Sequence, residues 1–211
     1  MENKNEDNDT EIEKENPYLV KMKAELKKSA LNLKSDNTKQ KKDKMEVLVN
    51  LLQMINISST IKILKDDKTP IDIIPHLYLG SIGSASNLVE LQKYNITHII
   101  CCAAGIQNFF PDKFKYYNLK LLDTEKEDIK KYFNEAYTFI DDAIKNNGNV
   151  LVHCHAGVSR SVTIIISYIM KAKKMSLDKT LELIRAKREK ANPNPGFLSQ
   201  LKKYQEELGI K

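Results

Sequence analysis

The chain has 211 residues, enough for one domain of ordinary size plus an extension, and 41% of them are hydrophobic, so a sizeable core can be buried. Its net charge of +6 comes with few stacking aromatics and no nucleic-acid motif, which argues against DNA or RNA as a partner. No run of about 18 uncharged apolar residues, secretory leader or lipidation motif points to a membrane, and three cysteines without CxxC spacing make neither a disulfide framework nor a zinc site.

In chain order, residues 1–16 carry seven acids against two lysines and almost no large apolar groups. Such a segment cannot bury enough surface to offset its ordering entropy, so a disordered acidic tail is expected. Residues 17–70 form a lysine-rich extension with twelve lysines against six acids. Within it Leu19, Met22, Leu26, Ala30 and Leu33 recur at helical spacing, as do Met45, Leu48, Leu52 and Ile55, which predicts two short helices. Lys39 to Lys44 is a cluster of the nuclear-import type, so the expected compartment is the reducing cytoplasm, with the nucleus as an addition.

The composition changes at Pro70, and residues 71–211 are assigned to one catalytic-type domain. A strand is predicted over 71–79, then a helix over 84–94 after Gly80 and Gly83, a strand over 97–103 and another over 116–122. Thr124 opens a Thr-x-x-Glu capping pattern, followed by the helical stripe Ile129, Phe133, Ala136, Ile140 and Ala143, which Asn146-Asn147-Gly148 ends. Val150-Leu151-Val152 is wholly apolar, as a central parallel strand covered on both faces would be. Helices are predicted over 159–172, 177–190 and 196–208. Strands alternating with helices make the fold class α/β, a mostly parallel sheet flanked by helices.

The segment that carries chemistry is His153-Cys154-His155-Ala156-Gly157-Val158-Ser159-Arg160-Ser161, between that central strand and the next helix. A loop leaving the carboxyl end of a strand and entering a helix points backbone N–H groups and the positive helix end at one centre. Both favour an anion, either a Cys154 thiolate, which is the nucleophilic form, or a bound phosphate. The phosphate cradle is therefore assigned to His155, Ala156, Gly157, Val158, Ser159 and Arg160. Gly157 lets the loop close without a Cβ in the way. Only three of the 34 cationic residues are arginine, at 160, 185 and 188, so arginine is expected where its chemistry is needed. Arg160 has the planar fork that grips two phosphate oxygens at once, which lysine lacks. The plainer reading is a core cysteine with a surface arginine, but His153, Gly157, Ser161 and the strand-loop-helix context weigh against it. Zinc binding by His153-Cys154-His155 fails because adjacent ligands on a tight loop rarely share a tetrahedron.

His-Cys-x-x-Gly-x-x-Arg-Ser in this setting resembles the phosphate-binding loop of the cysteine-dependent dual-specificity protein phosphatases. The likeness covers about residues 71–208. Ile74-Pro75-His76-Leu77-Tyr78-Leu79-Gly80-Ser81 resembles the family's opening strand, and Asn192-Pro193-Asn194-Pro195-Gly196-Phe197 with Leu198-Ser199-Gln200-Leu201 its closing segment. The resemblance implies hydrolysis of phosphoserine, phosphothreonine and phosphotyrosine in proteins through a cysteinyl-phosphate, with no metal or cofactor. It implies an aspartic general acid, for which Asp123 at a strand end is chosen over Asp112, Glu125 and Asp128, the last read more simply as a helix cap. Ser161 is implied as hydrogen-bond donor to the departing thiolate, and His153 as a support of the loop. Cys102, with Cys101 beside it, resembles a second cysteine that in some relatives captures the oxidised nucleophile. Alternatives are a phosphoinositide phosphatase, disfavoured because Ala156, Val158 and Ser159 are uncharged, and an inactive phosphate-binding adaptor, disfavoured because Cys154 and Arg160 are both present. Lys27-Lys28 before Leu31-x-Leu33, and Lys41-Lys42 before Val47-x-Val49, fit the loose pattern of kinase-docking peptides.

Overall fold

The computed structural model describes residues 57–211. The acidic tail, the two predicted extension helices, the nuclear-type cluster and both kinase-docking patterns lie outside the described residues. The chain divides into two units, Met1–Lys62 and Ile63–Lys211. Residues 57–62 of the first are helical, as are 63–66 at the start of the second, which thus begins before the boundary drawn from composition at residue 71.

The second unit is a five-stranded sheet with helices on both faces. Its strands are β1 (Ile71–Ile74), β2 (Leu77–Gly80), β3 (Ile96–Cys101), β4 (Lys115–Asn118) and β5 (Asn149–His153), in the order β1-β2-β5-β3-β4. β1 pairs antiparallel with β2, whereas the β2–β5, β5–β3 and β3–β4 pairings are parallel. The α/β, mostly parallel sheet expected from the alternation of elements is what the chain forms.

The central strand shows why. Val150 and Val152 enter the larger core cluster, on one face, while Leu151 between them enters the smaller cluster on the other. Side chains alternate across a strand, so a wholly apolar run demands cover on both sides. One cover comprises α3 (Phe133–Lys145), α4 (Arg160–Lys173), α5 (Leu177–Lys187) and α6 (Pro195–Glu207), with Phe133, Ile140, Ile165, Ile169, Ile184 and Phe197 buried among them. The other includes Leu91 of α2 (Leu88–Lys93), which packs in a cluster with Ile99, Phe114 and Leu151.

Four local predictions need correction. Residues 71–79 are a tight hairpin rather than one strand, because His76 takes a left-handed backbone (φ 69°) and the chain reverses there. Its carbonyl then accepts from Val150 N at 2.9 Å and its Nδ1 meets Asn149 Oδ1 at 2.8 Å, which seats the hairpin on β5. The helix expected over 84–94 is two short ones, α1 (Ile82–Ala85) and α2, with Asn87 between them capping the second through Glu90 N. Thr124 does not cap: a 3-10 turn (Lys130–Tyr132) leads into α3, neither has a side-chain cap, and Glu127 instead accepts from Leu122 N at 3.1 Å. The strand expected over 116–122 stops at Asn118, because Leu121 N turns back to Leu119 O at 2.8 Å. Asn147 (φ 56°) and the bond from Gly148 N to Ala143 O (2.8 Å) close α3 where the sequence said they would.

Candidate active site

β5 ends at His153, and the following six residues wrap from the sheet into the start of α4. Four successive carbonyls of this loop are tied to the surrounding protein. His155 O accepts from Ile82 N at 3.0 Å, Ala156 O from Arg188 Nη2 at 2.8 Å, Gly157 O from Arg188 Nε at 2.8 Å and Val158 O from Asn192 N at 2.8 Å. In a planar trans peptide the next residue's N–H points opposite to the carbonyl. Anchoring these four carbonyls outward therefore turns the N–H groups of Ala156, Gly157, Val158 and Ser159 toward the inside of the loop, where the free N–H groups of the first turn of α4 also begin.

Cys154 is buried at that centre, 1% exposed. Its Sγ accepts from Gly157 N at 3.2 Å and from Ser161 Oγ at 3.2 Å. Gly157 has a left-handed backbone (φ 64°), and a Cβ there would lie 2.7 Å from Gly80 O and 2.8 Å from Arg188 Nη2. Both the conformation and the close approach exclude a side chain.

Arg160 and Asp123 sit beside this loop. Arg160 Nη1 donates to Leu121 O at 3.2 Å, and its Nε lies 3.5 Å from Asp123 Oδ2, enclosed and without a hydrogen bond. Asp123 Oδ1 accepts from Ser159 Oγ at 2.7 Å and from Asn194 Nδ2 at 3.0 Å. The turn at 119–121 that cut the predicted strand short is what brings Leu121 O and Asp123 to the loop. Asp123 thus contacts loop residues, whereas Glu125 meets α6 through its backbone, next to Gly196. Asp128 is exposed and precedes a turn without a side-chain cap, so the capping role given to it is not formed.

His153 is fully buried, and burial, opposed by a 3.3 Å contact of Nδ1 with Cys154 O and aided by the Arg160 charge, pushes its pKa down to about 4. It is neutral near pH 7. The folded state keeps this imidazole neutral down to about pH 4, whereas the unfolded chain protonates it near pH 6.5. Between those values the unfolded state binds more protons, so stability falls as pH falls. Urea unfolding is expected to lose about 2 to 3 kcal/mol between pH 7.5 and pH 4.5 from this group. His153→Gln should flatten the profile by that amount; an unchanged slope would exclude His153 as its source. His155 is half-buried, and burial followed by the Arg160 charge holds its pKa below the usual imidazole range.

Cys101 ends β3 and Cys102 follows it, and Cys102 N donates to His153 O at 2.8 Å. Burial first, then the neighbouring Cys154 and Cys101, raise the Cys102 thiol pKa well above its ordinary value. Among the described residues no group of three or more His, Cys, Asp or Glu side chains is placed to hold a metal ion, and no helix is long and apolar enough to cross a membrane.

Residues that sequence reasoning passed over also build the site. Asn194 joins Asp123 to the closing segment, and Arg188 was marked only by the scarcity of arginine, with no role attached. Asp67, on the other side of the boundary drawn at 71, carried no signal.

Residues 77–207 match the family described as dual specificity phosphatase, catalytic domain. The chain belongs to the dual specificity phosphatase family. It is 40% identical over 164 residues to dual specificity protein phosphatase 1B of Arabidopsis thaliana, covering 78% of this chain and 98% of that one. It is 45% identical over 133 residues to protein phosphatase Slingshot homolog 3 of Homo sapiens, covering 63% of this chain but 20% of that longer protein. Among solved structures, a human tyrosine phosphatase-like serine/threonine/tyrosine-interacting protein superposes with a TM-score of 0.64 at 37% identity, over 66% of this chain and 97% of that one. As a dual specificity phosphatase the chain is a phosphoric monoester hydrolase of the protein phosphatase class.

Proposed function

We propose that this phosphatase removes phosphate from serine, threonine and tyrosine side chains of proteins through a cysteinyl-phosphate on Cys154. The observation that carries the reading is the Cys154 sulfur, buried at the centre of inward-turned amides and receiving hydrogen bonds from Gly157 N and Ser161 Oγ. In the first step the Cys154 thiolate attacks phosphorus in line with the leaving oxygen, and the S–P bond forms as the P–O bond breaks. The amides of the loop and the Arg160 guanidinium, whose Nε keeps an unused N–H, stabilise the charge on the equatorial oxygens. Asp123 gives its proton to the departing seryl, threonyl or tyrosyl oxygen. In the second step the ionised Asp123 takes a proton from water, whose oxygen attacks phosphorus, and the S–P bond breaks. Ser161 Oγ donates to the sulfur as it leaves with the electron pair.

Ser159 and Asn194 hold Asp123 by Oδ1, while Oδ2 lies 3.5 Å from Arg160 Nε, which keeps the carboxyl beside the guanidinium. The charge of this loop supports protein substrates over phosphoinositides, because Ala156, Val158 and Ser159 add no cation to meet a polyanionic headgroup. Side-by-side assays of phosphopeptides and phosphoinositide vesicles test the substrate class, and preference for the vesicles would overturn it. Asp123→Ala tests the acid. Its loss of kcat should be about 100-fold on phosphoserine peptides and much smaller on aryl phosphates with good leaving groups. An equal loss on both would remove Asp123 from proton transfer.

A further inference from the structure

The chemistry proposed above makes no use of Arg188, yet this side chain is 6% exposed and each of its three nitrogens is engaged. Nε and Nη2 donate to Gly157 O and Ala156 O, both at 2.8 Å. Nη1 and Nη2 also donate to the two carboxylate oxygens of Asp67, at 3.1 and 2.5 Å. Burying an ion pair brings little net stability, because desolvation offsets the attraction. Lysine supplies almost all the cationic charge of this chain, but an ammonium has no planar fork with which to meet two carbonyls and a carboxylate in fixed directions. The geometry therefore selects arginine for orientation rather than for charge.

Asp67 is itself held rigidly. Its N–H donates to Ile63 O at 3.0 Å and its carbonyl accepts from Ser81 Oγ at 3.0 Å. Gly83 packs so closely that a Cβ there would lie 2.5 Å from Asp67 O. Burial pushes the Asp67 carboxyl pKa up, but the hydrogen bonds and charge of Arg188, and then Lys190 at 3.3 Å, outweigh it and hold the group below its usual range as a carboxylate.

We infer that Asp67 and Arg188 are positioning residues of the phosphate loop: Asp67 aims the Arg188 guanidinium, and Arg188 holds the Ala156 and Gly157 carbonyls outward so that the Gly157 and Val158 N–H groups face the reacting phosphoryl group. Asp67 precedes the 77–207 segment that defines the family match, so the residues before β1 supply part of the catalytic loop's support. The inference rests on the reading of Cys154 and its loop as the phosphoryl-transfer site.

Full-length Asp67→Ala, Arg188→Met and the double variant are compared with the parent for aryl-phosphate kinetics, vanadate inhibition and thermal midpoint. Amides that stabilise the equatorial oxygens act on the transition state and on vanadate alike. For Asp67→Ala, kcat and vanadate affinity are expected to fall together by about tenfold while KM changes little, and for Arg188→Met by about 100-fold. Because Asp67 acts through Arg188, the double variant should be no worse than Arg188→Met alone. Additive losses, or a lowered thermal midpoint with kcat and vanadate affinity unchanged, would overturn the inference and leave a structural ion pair. If Arg188→Met does not fold, Asp67→Ala, which keeps the guanidinium and removes only the carboxylate that aims it, decides by the same two readouts. A parent enzyme that vanadate does not inhibit would instead sink the reading of the loop itself.

Discussion

Cys154→Ser is expected to lower kcat by about 10⁵-fold or more on every substrate while leaving phosphate binding nearly intact. The reason lies in which atoms the substitution touches. Serine keeps a hydrogen-bond acceptor where Gly157 N and Ser161 Oγ donate, and it disturbs none of the four outward carbonyl anchors, so the cradle of amides should survive. What disappears is the sulfur nucleophile, which is also the group that leaves readily in the second step, because an alkoxide is far more basic than a thiolate. Calorimetric titration with tungstate should give a Kd within about threefold of the parent value, with turnover undetectable. Turnover above a few per cent of the parent would exclude Cys154 as nucleophile. Loss of tungstate binding with the fold intact would mean that the sulfur, not the amides, holds the anion.

The second large effect belongs to Arg160→Lys, for which kcat/KM should fall by about 2 to 4 kcal/mol of transition-state stabilisation, or about 30- to 1,000-fold. Charge is conserved, so the loss measures direction. Arg160 Nη1 is fixed by Leu121 O and Nε lies against Asp123 Oδ2, which leaves the fork set at a definite angle to the loop. Lysine can satisfy neither contact and reach two phosphate oxygens in addition. The same two contacts tie the arginine to the segment carrying Asp123, so the substitution should also blunt the leaving-group dependence that Asp123 confers. Kinetics within threefold of the parent on both aryl phosphate and phosphoserine peptide would exclude the bidentate role.

The central strand, its two-sided burial and the loop that carries Cys154 were legible in the sequence because each is a local matter. Val150, Leu151 and Val152 announce their environment by being apolar without alternation, and Cys154, Gly157, Arg160 and Ser161 lie within eight consecutive residues. The boundaries failed where a distant partner overrode local preference. Thr124 and Glu127 have the spacing of a helix cap, but Glu127 turns to Leu122 N, and the regular α-helix starts at Phe133. Residues 71–79 have strand composition throughout, yet the left-handed His76 folds them onto β5 as a hairpin.

The sequence by itself determined the α/β class and pointed to the cysteine proposed here as nucleophile, because hydrophobic periodicity and short motifs act over a few residues. Tertiary structure alone decided what holds the loop's amides inward. That depends on carbonyls anchored by Ile82, Arg188 and Asn192, and on a carboxylate at residue 67, groups 30 to 90 residues distant in the chain whose meeting leaves no periodic trace. Peptide planes are rigid, so fixing a carbonyl from outside aims an N–H inward, and no count of residues along the chain reports who does the fixing.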